Sequence, residues 1–431
     1  MSRKKLAIIS TYNESCGNAS YTHVLKKQFE TQYDVEVIPL DLFVLQKSGG
    51  FFARLGDKHI ESICRKLKAF DYVNIQFEAG LYGNNAGDIE RRVKMLINAA
   101  PNLIFTMHRI DLVEPGMVGA VISAVRKARF APIFGHYMRN SFARLYAKLI
   151  HYCKEQSRVK NVWLKVHTRR EKRIVTEIFD FANCIDFPLA FLNPEERQAA
   201  LNDIDAARLR QQYSLPENAK IMGAFGYISN YKGFDALIKA LTELPPEWHL
   251  LLVGSQHPQS VRPYVEIDPY LKSLLELIQT ADLGRVREID NLIHAKEGRE
   301  NAGISPMMLK HISERVRFVG NVDDDEFVHM LRNVDAVVLP YLEVGQSMSG
   351  VLVLAIEAGA RMFAANNLSF NEARRYFGDV FGRFDIGNHL EIAQKVQYAR
   401  DDYAQTRDVA FEKYNIVESV ALQCACFEGR R

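Results

Sequence analysis

The densest chemical constellation in the sequence is DAVVLPYLEVGQSMSGVLVLAIEAGA, from Asp335 to Ala360. An apolar, strand-like run ends at Pro340, a polar loop follows, and Gly350 opens an apolar helical run that contains Glu357. A helix start carries free N–H groups and a partial positive charge, so it favours a phosphate. Ser347, Met348, Ser349, Gly350 and Val351 would line such a site, with Gly350 permitting close backbone approach. Glu357 lies seven residues beyond Gly350, about 10 Å at 1.5 Å per residue, and near the same helix face. A carboxylate there suits two ribose hydroxyls while the helix start holds a diphosphate. The competing reading is a serine-capped core helix with one stray acid. A carboxylate inside VLVLAIEAGA weighs against that reading, because buried carboxylates need partners.

Three other loops carry candidate groups. In GAFGYISNYKGFDALIKAL, Lys232 follows a strand and precedes a helix, where it serves as a point charge on a diphosphate; Gly226 shares the turn. A Lys-Gly pair before a helix is also an ordinary turn. In ISTYNESCGNASYTHVL, Gly17 and Asn18 would present backbone N–H groups at another helix start. This is not a GxGxxG fingerprint, which argues against dinucleotide binding. NLIFTMHRIDL places His108 and Arg109 just after a strand, and YVNIQFEAGLYGNNAG places Glu78 and Gly80 in a Gly-rich loop.

These loops need a scaffold that gathers strand ends. Short apolar runs (LAIIS, VEVIPL, YVNIQF, NLIFTM) alternate with helical patterns in the first half, and IMGAFGYI, HLLLVG, VRFVG, DAVVLP and RMFAAN do so in the second. Such alternation predicts parallel sheets covered on both faces. Ligands then bind outside the carboxyl ends of the strands. The stretch from 255 to 314 has charges and apolar positions at helical spacing and reads as a helical insertion.

Composition narrows the class. The 431 residues have a formal charge of +3, which does not argue for nucleic acid. Six scattered cysteines show no zinc spacing and read as reduced thiols. MSRKKLAIIS reads as a first strand, not a signal peptide, and no apolar run reaches membrane-spanning length. Between Met138 and Arg173 bases cluster among aromatic residues, either as a solvated helix face or as a contact with an anionic membrane surface.

Taken together, the motifs resemble the retaining group 1 glycosyltransferases of the GT-B fold, the family that includes bacterial polysaccharide-type enzymes. The resemblance spans nearly the whole chain and is strongest in the second half. It implies two doubly wound, Rossmann-like domains facing across a cleft: an acceptor-side domain over 1–195, a nucleotide-sugar domain over 196–410, and a helix over 411–431 crossing back. It implies a hexosyltransferase using a UDP- or GDP-sugar, with a glycan or lipid-linked acceptor, no required cofactor, no metal and no nucleic acid, located in the cytoplasm or at the inner membrane face. By the same resemblance Glu357 matches the ribose-binding glutamate, Lys232 the lysine that stabilises the leaving diphosphate, Gly17 the first glycine-containing loop and His108 a histidine beside the transferred sugar. Glu78, Gly80, Asn18 and Arg109 fall on the acceptor side. Two departures stand out: Ser349 occupies the place of the sugar-contacting glutamate, and the turn YISNY lacks the usual arginine. Glu343 is the nearest carboxylate for the missing role. A non-catalytic partner subunit, or an epimerase or phosphorylase on the same fold, are the alternatives.

Overall fold

The computed structural model describes residues 3–14, 16–112, 131–256, 261, 266–296, 311–343 and 345–430. The chain divides into two compact units. The first holds Met1–Phe191, Gly345–Met348 and Tyr414–Arg431; the second holds Leu192–Val344 and Ser349–Lys413.

Each unit is built on a six-stranded parallel sheet. The first comprises β1 (Lys5–Ser10), β2 (Asp34–Pro39), β3 (Tyr72–Phe77), β4 (Leu103–Met107), β5 (Val162–Val166) and β6 (Cys184–Asp186), in the order β2-β1-β3-β4-β5-β6. The second comprises β7 (Lys220–Phe225), β8 (Trp248–Val253), β9 (Val316–Gly320), β10 (Ala336–Leu339), β11 (Met362–Ala365) and β12 (Gly382–Phe384), in the order β12-β11-β10-β7-β8-β9. The sequence reading did not single out β5, β6 and β12. Two of these are three residues long, and β5 alternates Trp163 and Lys165 with apolar residues, so none shows the continuous apolar run of a central parallel strand.

In the first sheet, side-chain alternation separates two chemistries. Val73, Ile75 and Phe77 of β3, Leu103, Phe105 and Met107 of β4, and Val162, Leu164 and Val166 of β5 enter one apolar core. Helices Gly50–Leu67, Ala86–Ala99 and Ala131–Gln156 supply its other wall. The alternate positions Asn74, Gln76, Thr106 and Lys165 must then point to the opposite face. All four are buried there. Helices Gly17–Phe29 and Ile416–Phe427 pack together, the first against β1 and the second against β4.

Element boundaries differ from the expectation in places. The units divide at Phe191/Leu192, not after 195. Leu192 is held in the second unit by its N–H, which donates to Glu357. The closing segment is two helices, Ala404–Lys413 and Ile416–Phe427, the latter capped by the Asn415 side chain. Phe411 packs with Leu192 and Ala200 in the second unit. Within the expected insertion lie helix Pro269–Lys296 and the start of the short helix Ile312–Arg315; residues 257–260, 262–265 and 297–310 are outside the described residues.

Candidate functional site

In the second sheet, strand order reverses between β7 and β10, which is where doubly wound sheets bind ligands. Gly226 follows β7 with φ +105°, a conformation that side chains resist. A Cβ there would lie 2.9 Å from Lys232 Nζ and 3.8 Å from a Val351 methyl. Lys232 ends a single 3-10 turn, Asn230–Lys232, and Gly233 follows at φ +65°. A Cβ at Gly233 would stand 2.2 Å from the Pro340 carbonyl, so only glycine lets this turn close against the end of β10.

That closure buries Lys232 almost completely. Its ammonium donates to the Tyr341 hydroxyl at 2.5 Å, and lies 3.9 Å from the Tyr341 ring centroid and 5.1 Å from that of Tyr231. Loss of water pushes Lys232 down to about 7. Ser349 hydrogen-bonds the same Tyr341 hydroxyl and caps the Gly350–Glu357 helix by accepting from the Leu352 N–H at 3.4 Å. Gly226, Lys232, Ser349 and Val351 are thus gathered around Tyr341, with the first N–H groups of a helix beside a buried cation. The arrangement suits a diphosphate.

Glu357 is fully buried at the far end of that helix. One carboxylate oxygen accepts from the Leu192 N–H at 3.1 Å, and the Arg197 guanidinium donates to its backbone carbonyl at 3.2 Å. Glu343 is exposed and accepts from the Leu368 N–H at 2.7 Å, at the start of helix Leu368–Phe377. The bond ties it to that helix start.

The first sheet reverses between β1 and β3. Gly17 begins helix Gly17–Phe29 without a side-chain cap, and a Cβ there would meet nothing within 4 Å. Asn18 is half-buried, and its carbonyl accepts from the Thr22 hydroxyl at 2.6 Å. Beyond β3, Gly80 is exposed, while Glu78 is half-buried and its carboxyl is raised by burial against the pull of Arg109. Arg109 pairs with Asp111 at 2.6 Å. His108 follows β4; its Nε2 lies 2.8 Å from the Gln76 carboxamide oxygen. Burial, then the Lys165 ammonium, push its imidazole down to about 3, so it is neutral at physiological pH.

The loop before Gly350 is divided. Ser349, Gly350 and Val351 join Lys232, whereas Ser347 and the buried Met348 belong to the first unit. There Ser347 donates to the Glu171 carboxylate, which also accepts from the Thr168 hydroxyl at 2.9 Å.

The sequence reading missed Tyr341, Gln76 and His167. Tyr341 stands directly after a strand end, the same signal that selected His108. Gln76 and His167 left only the alternation along β3 and β5 as a clue. The basic stretch over 138–173 is not one surface. Lys165 is buried, held by the Tyr21 hydroxyl at 3.1 Å and Ser419 at 3.0 Å, and lowered to about 7 by desolvation. Lys148, Lys154 and Lys172 pair with Glu90, Asp180 and Asp186, and Lys160 caps the carbonyls ending helix Ala86–Ala99. The side chains of Met138 and Arg139 lie outside the described residues. Among the described residues no helix is long and apolar enough to cross a membrane, and no three His, Cys, Asp or Glu side chains form a metal-sized cluster.

The two Rossmann-like sheets define a GT-B fold, and solved GT-B structures align along the whole chain. Anabaena Alr3699/HepE, in complex with UDP and glucose, is 16% identical with TM-score 0.58, covering 98% of this chain and 99% of its own. Sucrose-phosphate synthase from Thermosynechococcus elongatus is 16% identical with TM-score 0.59, covering 99% of both chains. The UDP-forming α,α-trehalose-phosphate synthase from Burkholderia xenovorans, in complex with glucose-6-phosphate, is 10% identical with TM-score 0.62, covering 98% of this chain and 100% of its own. Residues 205–373 match the family model of the glycosyl transferases group 1. That segment contains Gly226, Lys232, Tyr341, Ser349 and Glu357. No curated protein matches the chain in sequence.

Proposed function

We propose that the chain is a glycosyltransferase that moves a hexose from a nucleoside-diphosphate sugar to an acceptor with retention of anomeric configuration. The observation that carries the reading is the buried Lys232 ammonium beside the Ser349-capped helix start, within the segment that matches the group 1 family model. The structural neighbour bound to UDP and glucose favours a UDP-sugar over a GDP-sugar as donor.

The chemistry follows from charge. Departure of the nucleoside diphosphate builds negative charge on its oxygens. A cation and N–H groups already in place stabilise that charge more than the ground state. Lys232 is held without competing water, so a bound diphosphate restores its full charge. Glu357 receives the ribose hydroxyls. Gly17, Asn18, Glu78, Gly80, His108 and Arg109 serve the sugar and acceptor. The exposed bases Arg144 and Arg158 suit an anionic, lipid-linked glycan reached from the cytoplasmic face of a membrane. No metal is required.

Ser349 supports a second reading, a partner subunit that binds donor without transferring. It is buried and spent on the Tyr341 hydroxyl and the helix cap, so no carboxylate stands at that position. A thermal-shift screen of UDP-, GDP- and ADP-sugars, followed by nucleotide-release assays, separates the readings. The transferase reading expects stabilisation by one nucleotide series and slow donor hydrolysis. Stabilisation without any turnover across acceptors selects the partner subunit, and no response to any nucleotide sugar rejects both.

A further inference from the structure

The face of the first sheet opposite its apolar core carries a directional chain of hydrogen bonds that begins on the C-terminal helix and ends at His108. The Ser419 carbonyl can only accept, and the Gln423 carboxamide nitrogen donates to it at 3.1 Å. That turns the Gln423 oxygen toward Asn74, which must donate through its own amide nitrogen, at 2.9 Å. The Asn74 oxygen then accepts from the Gln76 nitrogen at 2.5 Å, with the Thr106 hydroxyl a further acceptor at 3.4 Å. Gln76 is left presenting its oxygen to His108 Nε2, 2.8 Å away. A carboxamide oxygen has no proton to give, so the ring nitrogen must carry one.

Each link is sealed from water: Asn74, Thr106, Ser419 and Gln423 are 0% exposed and Gln76 is 1% exposed. Flipping any amide would set like atoms face to face and leave buried polar groups unsatisfied, which is costly away from solvent. The neighbouring His167, its ring 4.9 Å from that of His108, has the opposite arrangement: its Nδ1 faces the Phe187 carbonyl at 3.1 Å.

We infer that Gln76 is a positioning residue for His108, and that the relay from Ser419 through Gln423 and Asn74 holds the imidazole as its Nε2–H tautomer with Nδ1 as a hydrogen-bond acceptor. His108 then receives an O–H group and does not act as a proton donor at that edge. Only the identity of that O–H group, a sugar hydroxyl, rests on the proposed function. The residues that set the tautomer come from both ends of the chain, 349 positions apart at the Asn74–Gln423 bond.

The test is two-bond ¹H–¹⁵N correlation on the full chain labelled at histidine nitrogens, with the His108 signals assigned through His108→Asn. The expected result is a protonated Nε2 and a bare Nδ1, unchanged from pH 6 to pH 8. Asn74→Leu and Gln423→Leu, neither of which touches His108, are expected to give mixed tautomer signals in folded protein, while Gln76→Glu, which cannot donate to Asn74 but sets a carboxylate against the ring, keeps Nε2 protonated. A wild-type His108 protonated on Nδ1 overturns the inference without any variant, and does so whether or not the chain transfers sugar. Unaltered His108 signals in both leucine variants overturn it equally. Should the leucine variants not fold, the wild-type spectrum and Gln76→Glu decide.

Discussion

The Lys232 ammonium sits over the face of Tyr341, 3.9 Å from its centroid, and donates to the hydroxyl of the same ring. Among the described residues this buried cation is held by a phenol and aromatic faces, which compensate it poorly, and burial lowers its proton affinity. An arriving diphosphate supplies the missing negative charge. Donor binding above pH 7 is therefore expected to take up a proton. Calorimetry at pH 8 in two buffers of different ionisation enthalpy measures this as a difference in apparent binding enthalpy. Equal enthalpies would remove Lys232 from the diphosphate site.

Lys232→Ala is expected to lower turnover by about 100-fold or more, the order found when a positioned oxyanion donor is lost. The same variant relieves an uncompensated buried charge, so its melting temperature should hold or rise. Reduced turnover together with unfolding would point to a structural role instead.

Glu357→Gln and Glu357→Ala separate two roles of one side chain. Glutamine keeps an acceptor for the Leu192 N–H but loses the charge, so nucleotide affinity is expected to fall about tenfold with little change in melting temperature. Alanine also orphans the Leu192 N–H and leaves a cavity, for a stability loss of about 1–3 kcal/mol in denaturant unfolding. Wild-type nucleotide affinity in the glutamine variant would reject the ribose assignment.

Gly233→Ala places a methyl group against the Pro340 carbonyl at a left-handed backbone position. Stability is expected to drop by at least about 1–2 kcal/mol, because strain and clash add. Donor affinity should drop with it, since the same turn carries Lys232.

Lys165 and Lys232 both sit near 7 in the folded chain and near 10.5 when unfolded. Between these values the unfolded chain binds more protons, so both groups make stability rise with pH, by up to about 1.4 kcal/mol per pH unit for each lysine. Lys165→Met is expected to flatten the rise in unfolding free energy from pH 7 to pH 9 relative to wild type. Parallel profiles would show that Lys165 is charged and solvated in the folded protein.

Much of this protein is legible in its sequence. Strand-like runs alternating with helical patterns specified parallel, doubly wound sheets, since period and run length are local properties of the chain. Strand ends then marked the loops of Gly17, Glu78, His108 and Lys232, Ser349 followed from helix-start chemistry, and Glu357 from its spacing within an apolar helix. What the residue string could not contain is the partner of each group. The phenol beneath Lys232 comes from 109 residues away, the amide that commits Asn74 from 349, and the backbone N–H on Glu357 from 165. Burial of Lys165 on a sheet face, in a stretch that reads as a basic surface, was decided by the two helices that cover it. Spacing along a chain encodes which face a residue takes; only packing decides whether that face meets water, an apolar core or another polar side chain, and with it each group's charge and hydrogen-bonding role.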